Sequence, residues 1–235
     1  MLKAILFDLD GTLLPMDNEE FTKTYLYLLS QEAKQWGYTD RDAFVKGIWN
    51  GVKYMYKNDG TNTNDRVFWQ GFSDAMGKDF EDESKKFESF YKNIFTKAQV
   101  ATRPAPLAAE AVKLAREKAE KVVLATNPIF PLEAYKQRLA WIGLNYEDFD
   151  LVTDYELSHF TKPNPKYYEE ILEKISAEPK ECLMIGNDCT EDMLPALSLS
   201  MDFFLQTDDV INKDNIEITC KHGGFEEMVE FLKQL

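Results

Sequence analysis

The sequence predicts an α/β fold, in which a parallel sheet is flanked by helices and an all-helical domain is inserted after the first strand. Two patterns predict it. Short apolar runs alternate with amphipathic segments at the N-terminus and from about residue 101 onward, as is typical of parallel strands joined by helices. Between 17 and 100, apolar residues recur with helical spacing instead. We therefore expect a discontinuous core, 1–16 plus 101–235, interrupted by a helical domain, 17–100.

The inserted domain is predicted to contain four helices, because its apolar residues follow helical spacing in four separate runs. Turn-like segments rich in Gly, Asn and Asp separate these runs. The runs begin at Phe21, Phe44, Val67 and Phe87, and the turn-like segments are 37–40, 58–62 and 76–79.

Strands and helices are then predicted in alternation, since short apolar runs are separated by segments with helical spacing. The strand segments are 122–126, 149–153, 182–186 and 203–205, and the helical segments are 108–115, 132–141, 167–175, 193–199 and 225–232.

Composition limits the classes of function. A chain of 235 residues can bury a sizeable core, and 44% hydrophobic with 29% charged residues is typical of a soluble globular protein. The formal net charge of −14 argues against a nucleic-acid partner, whereas a small anionic ligand can still bind where amides, a Lys and a cation gather. No apolar run is long enough to span a bilayer, so we expect no membrane partner.

Cysteine and histidine usage favours a cytoplasmic location and argues against two kinds of site. Cys182, Cys189 and Cys220 form no disulfide framework and no metal-binding spacing. His159 and His222 are the only histidines, so a His-based triad or a zinc site is not expected. We interpret Cys189 as a thiol at the edge of the core and His159 as structural.

Two carboxylates follow the first strand where the chain turns. Asp8 and Asp10 are two residues apart, so their side chains point to the same side of an extended segment. Gly11 then allows the backbone to turn away. Taken alone, this pattern is also typical of a polar turn.

Polar residues follow the other predicted strands as well. Thr126 and Asn127 end the second strand, Lys162 follows the third, and Asp188 and Asp192 follow the fourth. Because the carboxyl ends of parallel strands meet at one edge of a sheet, we expect these side chains to lie together. Each has a simpler interpretation, namely a strand-end turn, a solvated lysine or an acidic helix N-terminus.

The order of these motifs resembles the haloacid dehalogenase superfamily along the whole chain. The motifs are Asp-x-Asp-Gly-Thr, an apolar strand ending in Thr-Asn, Lys-Pro-x-Pro, and Gly-Asn-Asp-x-x-x-Asp. The resemblance implies a Rossmann-like core, and the helical insertion looks like a type 1 cap of that superfamily. The fourth motif departs from the commonest family form, in which Asp directly follows Gly, because Asn187 intervenes here.

The resemblance implies a role for each matched residue. Asp8 would be the nucleophile that forms an aspartyl-phosphate, and Asp10 would be the general acid and base. Thr126 and Asn127 would hold the phosphoryl oxygens through a hydroxyl and a backbone amide. Lys162 would neutralise the charge that Asp8 and the phosphoryl group share.

The resemblance also implies a Mg²⁺ ion, which prefers a few carboxylates together with waters and substrate oxygens. Its expected ligands are Asp8, the backbone carbonyl of Asp10, and Asp188. Asp192 either supports these ligands indirectly or replaces Asp188 as a ligand, and the sequence leaves that choice open.

The expected function is therefore that of a Mg²⁺-dependent phosphatase acting on a small phosphorylated metabolite. Asp10 favours phosphate esters, because dehalogenases of the superfamily generally lack this second carboxylate. The alternatives are a phosphomutase of the same superfamily and a non-catalytic sensor or binding module for a phosphate ligand. The sequence predicts neither the substrate nor the oligomeric state.

The inserted domain offers a possible lid over such a substrate. Trp49, Asn50, Lys53 and Tyr54 mix aromatic and polar groups in one helical run. The simpler interpretation, which we favour at this point, places Trp49 in the core of the inserted domain and Lys53 in solvent.

Overall fold

The structure is a computed structural model that describes residues 1–77 and 81–235. The strands are β1 (Leu2–Phe7), β2 (Ala119–Leu124), β3 (Leu151–Val152), β4 (Cys182–Gly186), β5 (Asp202–Gln206) and β6 (Lys221–Gly223). The α-helices are α1 (Asn18–Gln35), α2 (Arg41–Tyr56), α3 (Asn64–Met76), α4 (Glu81–Asn93), α5 (Ala108–Lys118), α6 (Leu132–Trp141), α7 (Pro165–Ile175), α8 (Leu194–Ser198) and α9 (Phe225–Gln234).

The predicted α/β fold is confirmed. The six strands form one parallel sheet in the order β3-β2-β1-β4-β5-β6, so the N-terminal strand lies in the middle of the sheet. Its carboxyl end is fixed on both sides, because the amide of Asp8 donates to the carbonyl of Ile185 and that of Ala125 donates to Phe7. The ends of β1, β2 and β4 are therefore adjacent.

The structure differs from the sequence-based prediction at three elements of the core. β3 has only two paired residues, because Phe149 closes a 3₁₀ turn through a hydrogen bond to Tyr146. β6 was not predicted, since its sequence Lys-His-Gly is polar and it pairs only with β5 at the edge of the sheet. The helix expected at 193–199 is present as the shorter α8, and a π-helical turn at Cys189–Met193 precedes it.

The four helices predicted between the first two strands are present as α1–α4, followed by a 3₁₀ helix at Phe95–Ala101. The turn expected at 76–79 lies partly outside the described residues. None of the described helices combines the length and the apolarity that crossing a bilayer requires.

The apolar interior runs without a break from one face of the sheet into the inserted helices. One cluster of buried residues joins Ile5 and Phe7 of β1 to Phe21 of α1 and Phe44 of α2. Aromatic rings dominate the inserted part, for example where Phe44 and Phe72 pack edge to face. The helices therefore hold a fixed layer of aromatic side chains above the sheet edge.

The two segments that connect the inserted helices to the core lie side by side. Met16 and Thr102 form an antiparallel bridge, and the amide of Arg103 donates to the carbonyl of Pro15. These contacts fall at the predicted boundaries of 1–16, 17–100 and 101–235, and the division into two domains at these positions stays a prediction.

Candidate active site

All seven predicted site residues line one cavity of about 320 Å³ between the carboxyl end of the sheet and the inserted helices. They reach it from the loops that follow β1, β2, β3 and β4, as expected for a parallel sheet. The residues are Asp8, Asp10, Thr126, Asn127, Lys162, Asp188 and Asp192.

The loop after β1 depends on Gly11. This residue has a φ of 81°, which favours glycine, and a Cβ here would collide with the side-chain amide of Asn187. The hydroxyl of Thr12 lies 3.3 Å from Oδ2 of Asp8 and 3.2 Å from Oδ1 of Asn187. Asn187, the residue that departs from the family form, thus joins the first and fourth loops.

A buried lysine lies at the centre of the cavity floor. The Lys162 side chain is 1% exposed, and its Nζ lies 2.7 Å from Oδ1 of Asp8 and 2.6 Å from Oδ1 of Asp192. Burial by itself would lower the pKa of the ammonium group, but Asp192 and Asp8 outweigh this effect and hold that pKa well above its usual value. Lys162 is therefore a permanent cation shared by two carboxylates, and its interpretation as a solvated lysine is wrong.

The nucleophile predicted for this family, Asp8, is itself nearly buried. Burial raises the pKa of its carboxyl to about 8, while Lys162 opposes the rise and Asp192 adds to it. The ionised form of Asp8 thus depends on the positive charge beside it.

Asp192 is held from several directions. Besides Lys162, its carboxylate accepts a hydrogen bond from the amide of Asp188 at 3.1 Å and lies 3.3 Å from the Tyr168 hydroxyl. This close packing against the end of β4 requires Gly186, because a Cβ there would collide with the Asp192 carboxylate.

Asp188 has a more open environment than Asp192. Its Oδ1 caps the following turn by accepting hydrogen bonds from the amides of Thr190 and Glu191. Burial raises the pKa of the Asp188 carboxyl, whereas these amides favour its ionised form. Because the second oxygen of this carboxylate takes no part in the cap, Asp188 is better suited than Asp192 to bind a cation.

The side chain of Asn127 joins three parts of the site. Its Oδ1 accepts a hydrogen bond from the amide of Lys162, and its Nδ2 donates to Oε2 of Glu191 and to the Tyr56 hydroxyl. Tyr56 belongs to α2, so this contact connects the inserted helices to the cavity floor. Burial raises the pKa of Glu191 to about 7.

Asp10 is paired with a buried arginine that no sequence motif indicates. The fully buried Arg138 of α6 donates from Nη1 to Oδ2 of Asp10 at 2.5 Å. Its guanidinium carbon lies 4.5 Å from the centroid of the Phe130 ring and 4.6 Å from that of Tyr135. The other oxygen of Asp10, Oδ1, accepts no hydrogen bond from the described residues.

The four predicted metal-binding residues line the same cavity, and the assignment of individual ligands among them stays a prediction. No group of three or more Asp, Glu, His or Cys side chains in the described part of the chain is arranged to hold a metal ion by itself. Lys162 pairs with one oxygen of Asp8 and one oxygen of Asp192, and Arg138 pairs with Asp10. Asp192 also accepts hydrogen bonds from the Asp188 amide and the Tyr168 hydroxyl, so Asp8 and Asp188 are the carboxylates with fewer competing partners. Two carboxylates fit Mg²⁺, which usually keeps several waters and binds substrate oxygens.

Sequence reasoning missed Tyr56, Glu191 and Arg138 because their contacts arise from tertiary packing. Glu191 lies within the fourth motif, and this position was the only available signal. The interpretation of Trp49 as core is wrong, because its side chain is 50% exposed and lines the cavity. His159 pairs with Glu170 outside the cavity, as its structural interpretation requires.

Comparison with known families supports the sequence resemblance. A family model described as a hydrolase, the haloacid dehalogenase-like hydrolase, matches residues 2–199. A curated relative, the glyceraldehyde 3-phosphate phosphatase of Methanothermobacter thermautotrophicus, is 28% identical over 101 residues. That match covers 42% of this chain and 43% of the relative, so the chain spans less than half of the relative's length.

Solved structures share the fold over nearly the whole chain. A haloacid dehalogenase (HAD) phosphatase from Thermococcus onnurineus has a TM-score of 0.61 at 20% identity and 98% coverage of both chains. A 2-haloacid dehalogenase from Pseudomonas syringae has a TM-score of 0.63 at 16% identity, with 100% of this chain and 99% of the other covered. A HAD-hydrolase from Bacillus subtilis, bound to magnesium, has a TM-score of 0.59 at 18% identity and 99% coverage of both chains. These three proteins share one fold but are named as a phosphatase, a dehalogenase and a hydrolase, so the fold alone does not identify the reaction.

The pair of Arg138 and Asp10 is expected to stabilise the protein measurably. Replacing Arg138 by Met keeps the apolar stem but leaves the Asp10 carboxylate without its partner, so the free energy of unfolding should fall by about 3 kcal/mol or more. The matched control is Arg116→Met, which removes an exposed ion pair with Asp150 and should cost about 1 kcal/mol or less. Equal urea midpoints for the two variants would contradict the assigned role of the buried pair.

Proposed function

The chain belongs to the haloacid dehalogenase-like hydrolase family, and on this premise we propose that it is a Mg²⁺-dependent phosphatase. In this proposal it hydrolyses a small phosphorylated metabolite through an aspartyl-phosphate on Asp8. The observation that carries the proposal is the ammonium of Lys162 between Asp8 and Asp192, with a second carboxylate, Asp10, lining the same cavity.

The proposed reaction has two displacements. A carboxylate oxygen of Asp8 attacks phosphorus, the bond from phosphorus to the ester oxygen breaks, and Asp10 gives its proton to the departing alkoxide. A water molecule then attacks the same phosphorus, transfers a proton to Asp10, and releases inorganic phosphate together with the free Asp8 carboxylate. Both residues return to their starting state.

The contacts of Asp10 support this acid and base role. One of its oxygens is fixed by Arg138, and the other, which is buried, accepts no hydrogen bond from the described residues, so no described protein donor competes for a proton on that oxygen. Its presence favours phosphate esters over haloacids, since displacement of a halide needs no proton for the leaving group.

Lys162 contributes positive charge where the transferred phosphoryl group would lie. In the first displacement, negative charge builds up on the phosphoryl oxygens beside Asp8, and a fixed ammonium 2.7 Å from that carboxylate stabilises it. Asp192 holds the ammonium in place from the opposite side. Thr126 and Asn127 line the same floor, where the hydroxyl and a backbone amide would bind phosphoryl oxygens.

The cation is proposed to bind to the carboxylates of Asp8 and Asp188 and to the backbone carbonyl of Asp10. When bound, Mg²⁺ would supply further positive charge to the phosphoryl oxygens. In this proposal Asp192 acts through Lys162 and the amide of Asp188 rather than as a ligand, and its hydrogen bonds to both groups support that assignment.

The nucleophile is tested by Asp8→Asn. We expect this variant to lose at least about 10³-fold in phosphate release from p-nitrophenyl phosphate, since the amide cannot form the covalent intermediate. Chelation of the cation should abolish the wild-type activity, and added Mg²⁺ should restore it. The matched control is Asp202→Asn at an exposed position on β5. Substantial turnover by Asp8→Asn would refute the mechanism, and activity that survives chelation would refute the metal requirement.

The role of Lys162 is tested by Lys162→Met, which retains the length of the buried stem without the charge. We expect kcat to fall by about 10² to 10³-fold, the range found when one preorganised electrostatic group is removed. Lys166→Met, four residues along the chain at an exposed position, should leave kcat unchanged. A Lys162→Met variant that folds and retains wild-type kcat would show that the ammonium does not stabilise the transition state.

A further inference from the structure

The side of the cavity that faces the inserted helices is strongly apolar and aromatic. Phe21 and Tyr25 of α1, Ile48 and Trp49 of α2, and Phe68 of α3 all line it. The same cavity is lined, at the carboxyl end of the sheet, by the carboxylates of Asp8, Asp10, Asp188 and Asp192. The phosphate end and the organic end of a bound ester would therefore meet very different surroundings.

Charge is confined to the sheet side of the cavity. Among the described lining residues, none that comes from α1–α4 is charged. The two lysines that line the cavity, Lys162 and Lys213, both belong to the core, and Lys162 is already shared by Asp8 and Asp192. A carboxylate on the organic part of a substrate would thus find no cation on the helical side and several carboxylates nearby.

Hydrogen-bonding groups on the helical side are few, and several are already used. The hydroxyls of Tyr25 and Tyr91 lie 2.9 Å apart and bond to each other. The Tyr56 hydroxyl contacts Asn127 and Glu191 at the cavity floor. Among the described lining residues of α1–α4, Asn18 and Thr22 add polar side chains, and Trp49 and Trp69 add an indole N–H each. A sugar with several hydroxyls would lose more hydrogen bonds to water than it could regain here.

We infer that the substrate is a phosphate monoester whose organic group is uncharged and mainly apolar, such as an alkyl or aryl group. This inference rests on the proposed function and narrows it. A cavity of about 320 Å³ lies at the lower end of the range for small-molecule sites, so the organic group is of modest size. Esters of hydroxy acids and of polyhydroxylated sugars are disfavoured, because no described lining residue of α1–α4 is a cation and few of these residues offer a hydrogen bond.

The inference is tested with a series of primary alkyl phosphates from ethyl to hexyl, compared with glycerol 3-phosphate and phosphoglycolate. All of these esters release a primary alcohol, so differences in kcat/KM mainly report binding of the organic group in the transition state. We expect kcat/KM to rise about fourfold for each added methylene, which is the gain for burying one CH₂ group, and so about 250-fold from ethyl to hexyl. Equal or falling values along the series, with glycerol 3-phosphate preferred, would overturn the inference.

Trp49 provides a variant that tests the surface itself. Its side chain is 50% exposed, so Trp49→Ala should fold, and the preference for hexyl over ethyl phosphate should drop by about tenfold. The matched control is Tyr27→Ala, at an aromatic residue of α1 that is 55% exposed and does not line the cavity. The control should keep the full preference, and an equal loss in both variants would contradict a direct role for the Trp49 surface.

Binding of alkylphosphonates separates this inference from the proposed function, because these compounds cannot be hydrolysed as esters. Tighter calorimetric binding of hexylphosphonate than of ethylphosphonate, without turnover of any ester, would overturn the phosphatase proposal and support an apolar ligand. Hydrolysis of esters without any chain-length preference, in turnover or in binding, would support the phosphatase and overturn the apolar substrate.

Discussion

The buried ammonium of Lys162 is the interaction on which the geometry of the site depends. An ion that is only 1% exposed must be compensated, and the two carboxylates that compensate it come from separate loops, Asp8 after β1 and Asp192 after the neighbouring β4. Lys162 itself comes from the loop beyond β3, so one cation fixes three strand ends in a single arrangement. This arrangement also requires a glycine at position 186, because the Asp192 carboxylate occupies the space that a Cβ would fill. Charge compensation thus holds the three loops together.

A second buried cation extends this arrangement to the inserted helices. Arg138 fixes the Asp10 carboxylate, and its guanidinium carbon lies 5.7 Å from the centroid of the Phe21 ring in α1, so Arg138 connects Asp10, the proposed acid and base, to the inserted helices. Tyr56 makes a further connection from α2 to Asn127 and Glu191. The inserted helices consequently do more than cover the sheet edge, because they help to hold the proposed reacting groups and supply the apolar side of the cavity.

The parts of the site that could be predicted from the sequence are those encoded locally. Asp8 and Asp10 lie two residues apart on one strand end, and Lys162 and Asp188 follow strands, so the parallel sheet alone brings them together. The pairing of Arg138 with Asp10 spans 128 residues and leaves no local pattern, since an arginine on an amphipathic helix is usually exposed. Trp49 is wrongly assigned to the core, because helical spacing cannot distinguish an aromatic residue in a core from one that lines a cavity. The polar edge strand β6 lacks the apolar pattern by which strands are recognised.

The proposed mechanism requires a covalent bond between Asp8 and phosphorus. Rapid-quench peptide mass spectrometry during turnover of p-nitrophenyl phosphate in the presence of Mg²⁺ detects this bond directly. We expect the peptide containing Asp8 to gain the mass of one phosphoryl group transiently, at a level that rises and decays with turnover. Continued phosphate release with the Asp8 peptide unmodified at every time point, or with the phosphoryl group on another residue, would contradict it.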